Sequence, residues 1–232
     1  MHARSSASDL PLYYTILSDH FGTQHWWPGT SQWEIIIGAI LTQNTNWANV
    51  EKAIETLRYH NVLSYNAMKL LEHATLEEMI RPSGFYRVKT KRLKSFFRFI
   101  EDELHGNITV LESMPLDIAR AMLLSVDGIG PETADSILLY AFGKPTFVID
   151  TYTKRIVHRH RITDSTDYHE IQNIFTASCE KSVPVYNEFH ALIVAAGKHY
   201  CKPQPRCFKC PLKSYLPFDA DEGGYDAYQK RS

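Results

Sequence analysis

Apolar residues recur along this chain at helical spacing, and glycines, prolines and polar caps separate the runs. Residues 12–21 carry a modest helical pattern. Residues 33–41 are apolar almost all round, which predicts a deeply buried helix. Ser31-Gln32-Trp33-Glu34 has the form of a capping box at its start, and the polar tip Thr42-Gln43-Asn44-Thr45-Asn46, followed by Trp47, closes it. The next face is Val50, Ala53, Ile54 and Leu57. Residues 63–73 and 75–80 read as shorter helices, the second with a capping box at Thr75 and Glu78. Arg81-Pro82-Ser83-Gly84 breaks the chain, and residues 89–104 repeat an apolar face at Leu93, Phe96, Phe97 and Ile100. Farther on, residues 167–181 bury Ile171, Ile174 and Phe175, and Pro184 opens a helix with Phe189, Leu192, Ile193 and Ala196 inward, ending at Gly197. Strand-like alternation and internal repeats are absent, so the fold class is all-α. The opening MHARSSASD reads as a short flexible lead, and residues 217–232 as a loose polar tail.

One stretch, residues 116–150, organises the rest. Pro115 stands before a first helix with Ala119, Met122, Leu123 and Val126 on its apolar face. Asp127-Gly128-Ile129-Gly130 is a turn whose glycines tolerate positive φ and close backbone approach. Pro131 suits the first position of a second helix, which carries Ala134, Ile137, Leu138, Ala141 and Phe142 and is ended by Gly143 and Pro145. A hairpin of this kind leaves amides and a helix N-terminus outward, where they bind anions such as phosphate. An αα-hairpin serving only the core is the competing reading. The apolar run Thr146-Phe147-Val148-Ile149 then delivers Asp150 next to Thr151, Tyr152, Lys154 and Arg155. A carboxylate so placed is a candidate catalytic group as well as a helix N-cap.

At these residues the chain resembles the endonuclease III superfamily of DNA glycosylases. The residues 124–135, Val148-Ile149-Asp150, and the Gly-Pro…Asp signature at Gly130, Pro131 and Asp150 carry the likeness, which runs from about Trp26 to Cys210. The segments around Trp26-Trp27-Pro28 and Gly84-Phe85-Tyr86 look most like bacterial 3-methyladenine DNA glycosylases of the endonuclease III type. The resemblance implies a two-lobed helix-hairpin-helix fold with the active site in the cleft between lobes. Residues 31–144 would form one lobe, and residues 1–30 plus 145–232 the other, with a cysteine-containing loop at 201–216. It implies that Gly128, Ile129, Gly130, Glu132 and Thr133 grip DNA phosphates and that Gln43 fills the gap left by a flipped base. Trp26, Trp27, Pro28 and Trp47 would line the base pocket, and aromatic faces favour a cationic alkylated purine. Core tryptophan is the plainer reading of each.

Bifunctional members carry a lysine 18 residues before the aspartate, and 150 − 132 places Glu132 there. A glutamate cannot form the Schiff base needed for strand cleavage. The reading is therefore a monofunctional glycosylase of base excision repair, with Asp150 assisting attack by water. Two alternatives stay open: a mismatch-type uracil, thymine or adenine glycosylase, and a non-catalytic helix-hairpin-helix DNA-binding module.

Composition changes this picture in two places. With 25 Lys+Arg against 26 Asp+Glu the net charge is −1, so DNA contact must come from local clusters. Two such clusters occur, at Arg81, Arg87, Lys89, Lys91, Arg92, Lys94 and Arg98, and at Arg155, His158, Arg159, His160 and Arg161. The 4 cysteines, with no signal-peptide pattern and no membrane-length apolar run, suit a cytoplasmic, nucleoid-associated protein in a reducing compartment. Double-stranded DNA bearing a damaged base is the expected partner, and the protein is expected to be a monomer. Cys201, Cys207 and Cys210 resemble the family's iron–sulfur loop, but the first interval is one residue short and Leu216 occupies the fourth position. His199 or Asp219 completing the ligand set and a loop without metal are both open. Cys179 reads as a core residue on a helix face.

Overall fold

In the computed structural model, which describes residues 6–27 and 29–218, every regular element among the described residues is helical. The chain divides into two compact units, Trp27–Lys144 and Met1–Trp26 with Pro145–Ser232.

Within the lead, Ala7–Asp9 form a 3-10 turn closed by a Ser6 N–H to Asp9 Oδ2 hydrogen bond of 2.7 Å. It runs into α1 (Leu10–Phe21). The central helix of the Trp27–Lys144 unit is α2 (Gln32–Leu41), with Ile36, Ile37, Ile40 and Leu41 fully buried. Ser31 caps it by accepting from the Glu34 amide at 3.1 Å. The predicted box is only half made, because the buried Glu34 carboxylate pairs at 2.9 Å with Arg58 and accepts from Thr30. Around it lie α3 (Trp47–Tyr59), α4 (Tyr65–Leu70), α5 (His73–Met79), α6 (Tyr86–Leu104) and the short α7 (Val110–Ser113).

Three boundaries correct the sequence pattern. The helix α4 is shorter than the periodicity suggested, since Ser64 caps it by accepting from the Ala67 amide and it ends at Leu70. Thr75 lies inside α5, which starts at His73, so the predicted second capping box does not exist. And α6 begins at Tyr86, three residues before the segment 89–104 read from the pattern, because Gly84 (φ 68°) and Phe85 (φ 46°) turn the chain sharply. Lys89 is fully buried in α6, where its ammonium donates to the carbonyls of Leu41 (2.7 Å) and Ser83 (2.6 Å). Burial, helped by Arg92, lowers its pKa to about 8.

The hairpin consists of α8 (Leu116–Leu124) and α9 (Pro131–Ser136), the latter running on as a π-helical turn through Ile137–Ala141. Ala119, Leu123, Val126, Ala134, Ile137 and Leu138 are buried as the spacing predicts, while Met122, Ala141 and Phe142 are half-buried. A bidentate bond from Arg120 to the buried Asp135 (2.7 and 3.0 Å) clamps the two legs. Lys144 closes the unit by donating to the carbonyls of Glu112 and Met114.

The other unit holds α1, α10 (Thr151–Arg159), α11 (Tyr168–Ser178) and α12 (Val183–His199). Its core is aromatic: Phe147 stacks on Phe175 at 4.3 Å, with Tyr186 and Phe189 edge-on. Ile174 is half-buried rather than core. Gly197 does not end α12; it lets α10 approach, for a Cβ there would lie 2.3 Å from the Tyr152 ring. Cys179 caps the end of α11, half-buried, and burial pushes its thiol up to about 11. Pro28, expected in the base pocket, Asp219, a candidate ligand, and the rest of the tail to Ser232 lie outside the described residues.

Candidate active site

The candidate residues divide between the two units. Asp150 sits at the end of a buried extended run, where Phe147, Val148 and Ile149 are anchored in the aromatic core. It is the N-cap of α10: Oδ1 accepts from the Thr153 N–H at 2.7 Å and from its hydroxyl at 2.8 Å. The other oxygen, Oδ2, faces Nε2 of His190 at 3.7 Å. His190 lies on α12 and is itself buried, with its ring edge-on to Phe147. Burial alone would raise the carboxyl pKa; His190 and the two Thr153 donors overcome it, so Asp150 is held below the ordinary carboxylate range. The result is a buried carboxylate that stays ionised. Sequence reasoning reached Asp150 but missed His190, for which no local signal exists 40 residues away.

In the Trp27–Lys144 unit, Trp27 and Trp47 meet edge to face at 5.1 Å, and Tyr140 closes on Trp27 at the same distance. Gly38 of α2 underlies them, since a Cβ there would touch both indoles at 3.4–3.5 Å. Tyr140 comes from the π-helical turn and was not singled out by the sequence pattern; a π turn is itself a frequent mark of a functional position. Trp26 belongs to the other unit, with the Lys198 ammonium 5.5 Å above its ring.

The hairpin turn is built around Gly128. Its φ of 86° is a left-handed conformation, and a Cβ would lie 2.3 Å from Arg92 Cγ. Gly130 has an ordinary φ of −91°, and a Cβ there would meet nothing within 4 Å. Ile129 is buried and holds the turn down, while Glu132 is exposed in the first turn of α9 and Thr133 is buried. Gln43 is fastened to this turn. Its Nε2 donates to the Gly128 carbonyl (3.0 Å) and to Thr133 Oγ1 (2.9 Å), while its Oε1 accepts from Arg92. The residue read as filling the gap left by a flipped base thus bridges the α2 tip and the hairpin, with Arg92 as the third member.

Phe85 lies in a segment that carries the resemblance but was given no role from the sequence. It is 66% exposed and holds a left-handed backbone (φ 46°, ψ 28°), which is costly for an aromatic residue. The following Tyr86 lies beneath the guanidinium groups of Arg81 and Arg87. An aromatic followed by basic residues directly after Ser-Gly was the available signal.

Cys201, Cys207 and Cys210 are buried and line one cavity of about 10 Å³ with Arg159, Leu212 and Leu216. That is room for about one water. Arg159 donates to Cys201 Sγ at 2.9 Å. Burial raises the Cys207 thiol to about 11 and Cys210 to about 12, and raises Cys201 as well. The fourth expected position is the buried, apolar Leu216, and His199 is exposed and packs on Phe21 instead. Among the described residues no group of three or more His, Cys, Asp or Glu side chains is placed to hold a metal ion. Among the described residues, three cysteines with a leucine in the fourth position and this volume do not fit a four-iron cluster, which needs four ligands.

Residues 37–181 match the HhH-GPD superfamily of base excision DNA repair proteins. A protein of Methanocaldococcus jannaschii named as a putative DNA repair glycosylase is 44% identical over 205 residues, spanning 87% of this chain and 93% of that protein. Endonuclease III of Thermotoga maritima is 27% identical over 192 residues, covering 82% and 84% of the two chains. Among solved structures, the 3-methyladenine DNA glycosylase of H. pylori bound to 1,N6-ethenoadenine superposes with a TM-score of 0.71 at 28% identity, covering 84% of this chain and 98% of that one. An endonuclease III–DNA complex superposes at 0.79 with 22% identity over 98% and 100% of the chains, a likeness of fold. The chain belongs to the HhH-GPD superfamily of DNA glycosylases.

Proposed function

We infer that this protein is a monofunctional glycosylase that hydrolyses the N-glycosidic bond of a flipped, alkylated base in duplex DNA. The observation that carries the reading is the buried, ionised Asp150 with one oxygen committed to Thr153 and the other turned to His190. In the proposed reaction the C1′–N bond breaks and the base leaves with the electron pair. An N-alkylated purine carries a positive charge that this pair neutralises, so no general acid is required. The Asp150 carboxylate stabilises the cationic sugar and takes a proton from the water whose oxygen bonds to C1′. His190 orients the carboxylate. The product is an abasic site.

Trp27, Trp47 and Tyr140 supply the aromatic surface for a cationic base, and the likeness to a 3-methyladenine glycosylase supports the alkylated class. The hairpin amides around Gly128 and Gly130 grip phosphate, and Phe85 is the apolar wedge that enters the stack during extrusion. No lysine occurs in α9 or its π-helical extension. The lysines that flank Asp150 on either side are engaged with carbonyls, Lys144 with Glu112 and Met114 and Lys154 with Thr166 at 3.3 Å. Both facts support water as the nucleophile.

The test is release of free base from methylated, uracil-containing and mismatched duplexes under single turnover. Methylated purines should be released preferentially, and Asp150→Asn should lower the rate roughly 10²–10⁴-fold with the melting temperature nearly kept. An Asn variant within a few-fold of wild type would remove Asp150 from the reaction.

A further inference from the structure

A second feature of the Trp27–Lys144 unit is used by neither the hairpin turn nor the aromatic cluster. A cavity of about 720 Å³ is lined by α4, the start of α5, the outer face of α6 and Asp127 of the hairpin turn. Its charged lining comprises Lys69, Lys91, Lys94 and Arg98 against Glu101 and Asp127, four cations to two carboxylates in a protein of net charge −1. Two of the cations are engaged. Lys69 pairs with Glu101 at 2.9 Å, and that carboxylate also accepts from the Tyr65 hydroxyl. Lys94 donates to the carbonyls of Lys69 (3.0 Å) and Leu71 (2.5 Å), which ties α6 to the end of α4.

Lys91 and Arg98 are different. Both are exposed, neither has a carboxylate partner among the described residues, and Arg98 makes only a 3.4 Å bond to Ser95 Oγ of its own helix. They stand seven residues apart on one face of α6, about 10 Å along the axis at ~1.5 Å per residue. That separation is too long for one phosphate to bridge. Laid along the duplex axis it spans about three steps of one strand at ~3.4 Å each, so the two side chains reach separate phosphates. Glu101 is paired with Lys69, so Asp127, which joins the groove to the hairpin turn, is the lining carboxylate left to oppose Lys91, Lys94 and Arg98.

We propose that this groove is a second DNA-backbone site, in which Lys91 and Arg98 hold the phosphodiester strand of the duplex flanking the lesion. The proposal rests on the reading of the chain as a DNA glycosylase and extends its footprint beyond the hairpin. The site carries no base information, because phosphate contacts position a protein without specifying sequence.

The experiment measures binding of the full-length protein to a duplex with a tetrahydrofuran abasic analogue, across a salt series, with long flanks and with each flank cut back in turn. On the long duplex Lys91→Ala/Arg98→Ala should reduce the slope of log K against log salt by about 2, at ~0.9 per lost contact. Cutting one of the two flanks should abolish the difference from wild type. The charge-keeping pair Lys91→Arg/Arg98→Lys should retain the wild-type slope. A double alanine variant with the wild-type slope on the long duplex would overturn the proposal, and so would a charge-keeping pair that loses as much. Base release by the wild-type protein from methylated duplex reports on the catalytic reading separately. Release with an unchanged slope sinks the groove alone; no release with a lowered slope sinks the alkylated-base reading alone.

Discussion

At Asp150 the capping of α10 and the proposed chemistry draw on different oxygens, Oδ1 toward Thr153 and Oδ2 toward His190. Capping therefore does not compete with catalysis; it fixes the direction of the second oxygen. The pH dependence follows from the sign of the pKa shift. The reactive form is the carboxylate, its pKa is depressed, and activity is retained until the pH falls through that depressed value. In His190→Asn the burial that raises the pKa remains while the ring that lowers it is gone. The acid limb of single-turnover base release should then move to higher pH, with a smaller loss on the plateau than Asp150→Asn causes. A merely structural His190 would lower stability and leave the limb in place, and that outcome would end its assignment as a positioning residue.

At the scale of elements, the hairpin was legible because its signals are local. Two glycines, a proline at the first helical position and one apolar stripe suffice to place α8, the turn and α9. The turn's two glycines are nonetheless unequal, and only coordinates reveal it. Gly128 needs its positive φ and its closeness to Arg92, whereas a methyl at Gly130 has space. Gly128→Ala should cost about 1–2 kcal/mol for the left-handed backbone, lower the melting temperature, and weaken binding to damaged and undamaged duplex alike. Gly130→Ala should leave the melting temperature near wild type, so any loss of DNA binding there reports the phosphate contact alone. Equal melting losses in the two variants would contradict the geometry. What the sequence hid were partnerships over long separations: Gln43 with Gly128 and Thr133, Arg92 with Gln43, Tyr140 with Trp27, His190 with Asp150. The capping box read at Thr75 failed for the opposite reason. The local pattern was present, but α5 already starts at His73.

At the scale of the whole molecule, a protein with no net excess of positive charge must hold DNA by local features, and the two proposed above are the hairpin turn and the groove on α6. The reaction outcome is also a property of the whole chain, because strand cleavage requires an amine somewhere that can reach the sugar. Glu132, exposed in the first turn of α9, cannot supply it, and Lys144 and Lys154 are tied to backbone carbonyls. Incubation with methylated duplex should therefore yield abasic DNA that breaks only on treatment with alkali or heat. Borohydride should trap no covalent protein–DNA adduct, since no imine forms. Glu132→Lys places an amine at the position where bifunctional relatives are expected to carry theirs, and some trapping in that variant would show that the sugar lies within reach of α9. Efficient trapping by the wild type would instead identify another amine as nucleophile. That result would overturn the monofunctional reading while leaving membership of the glycosylase superfamily intact, since the family rests on the match over residues 37–181 and not on the nucleophile.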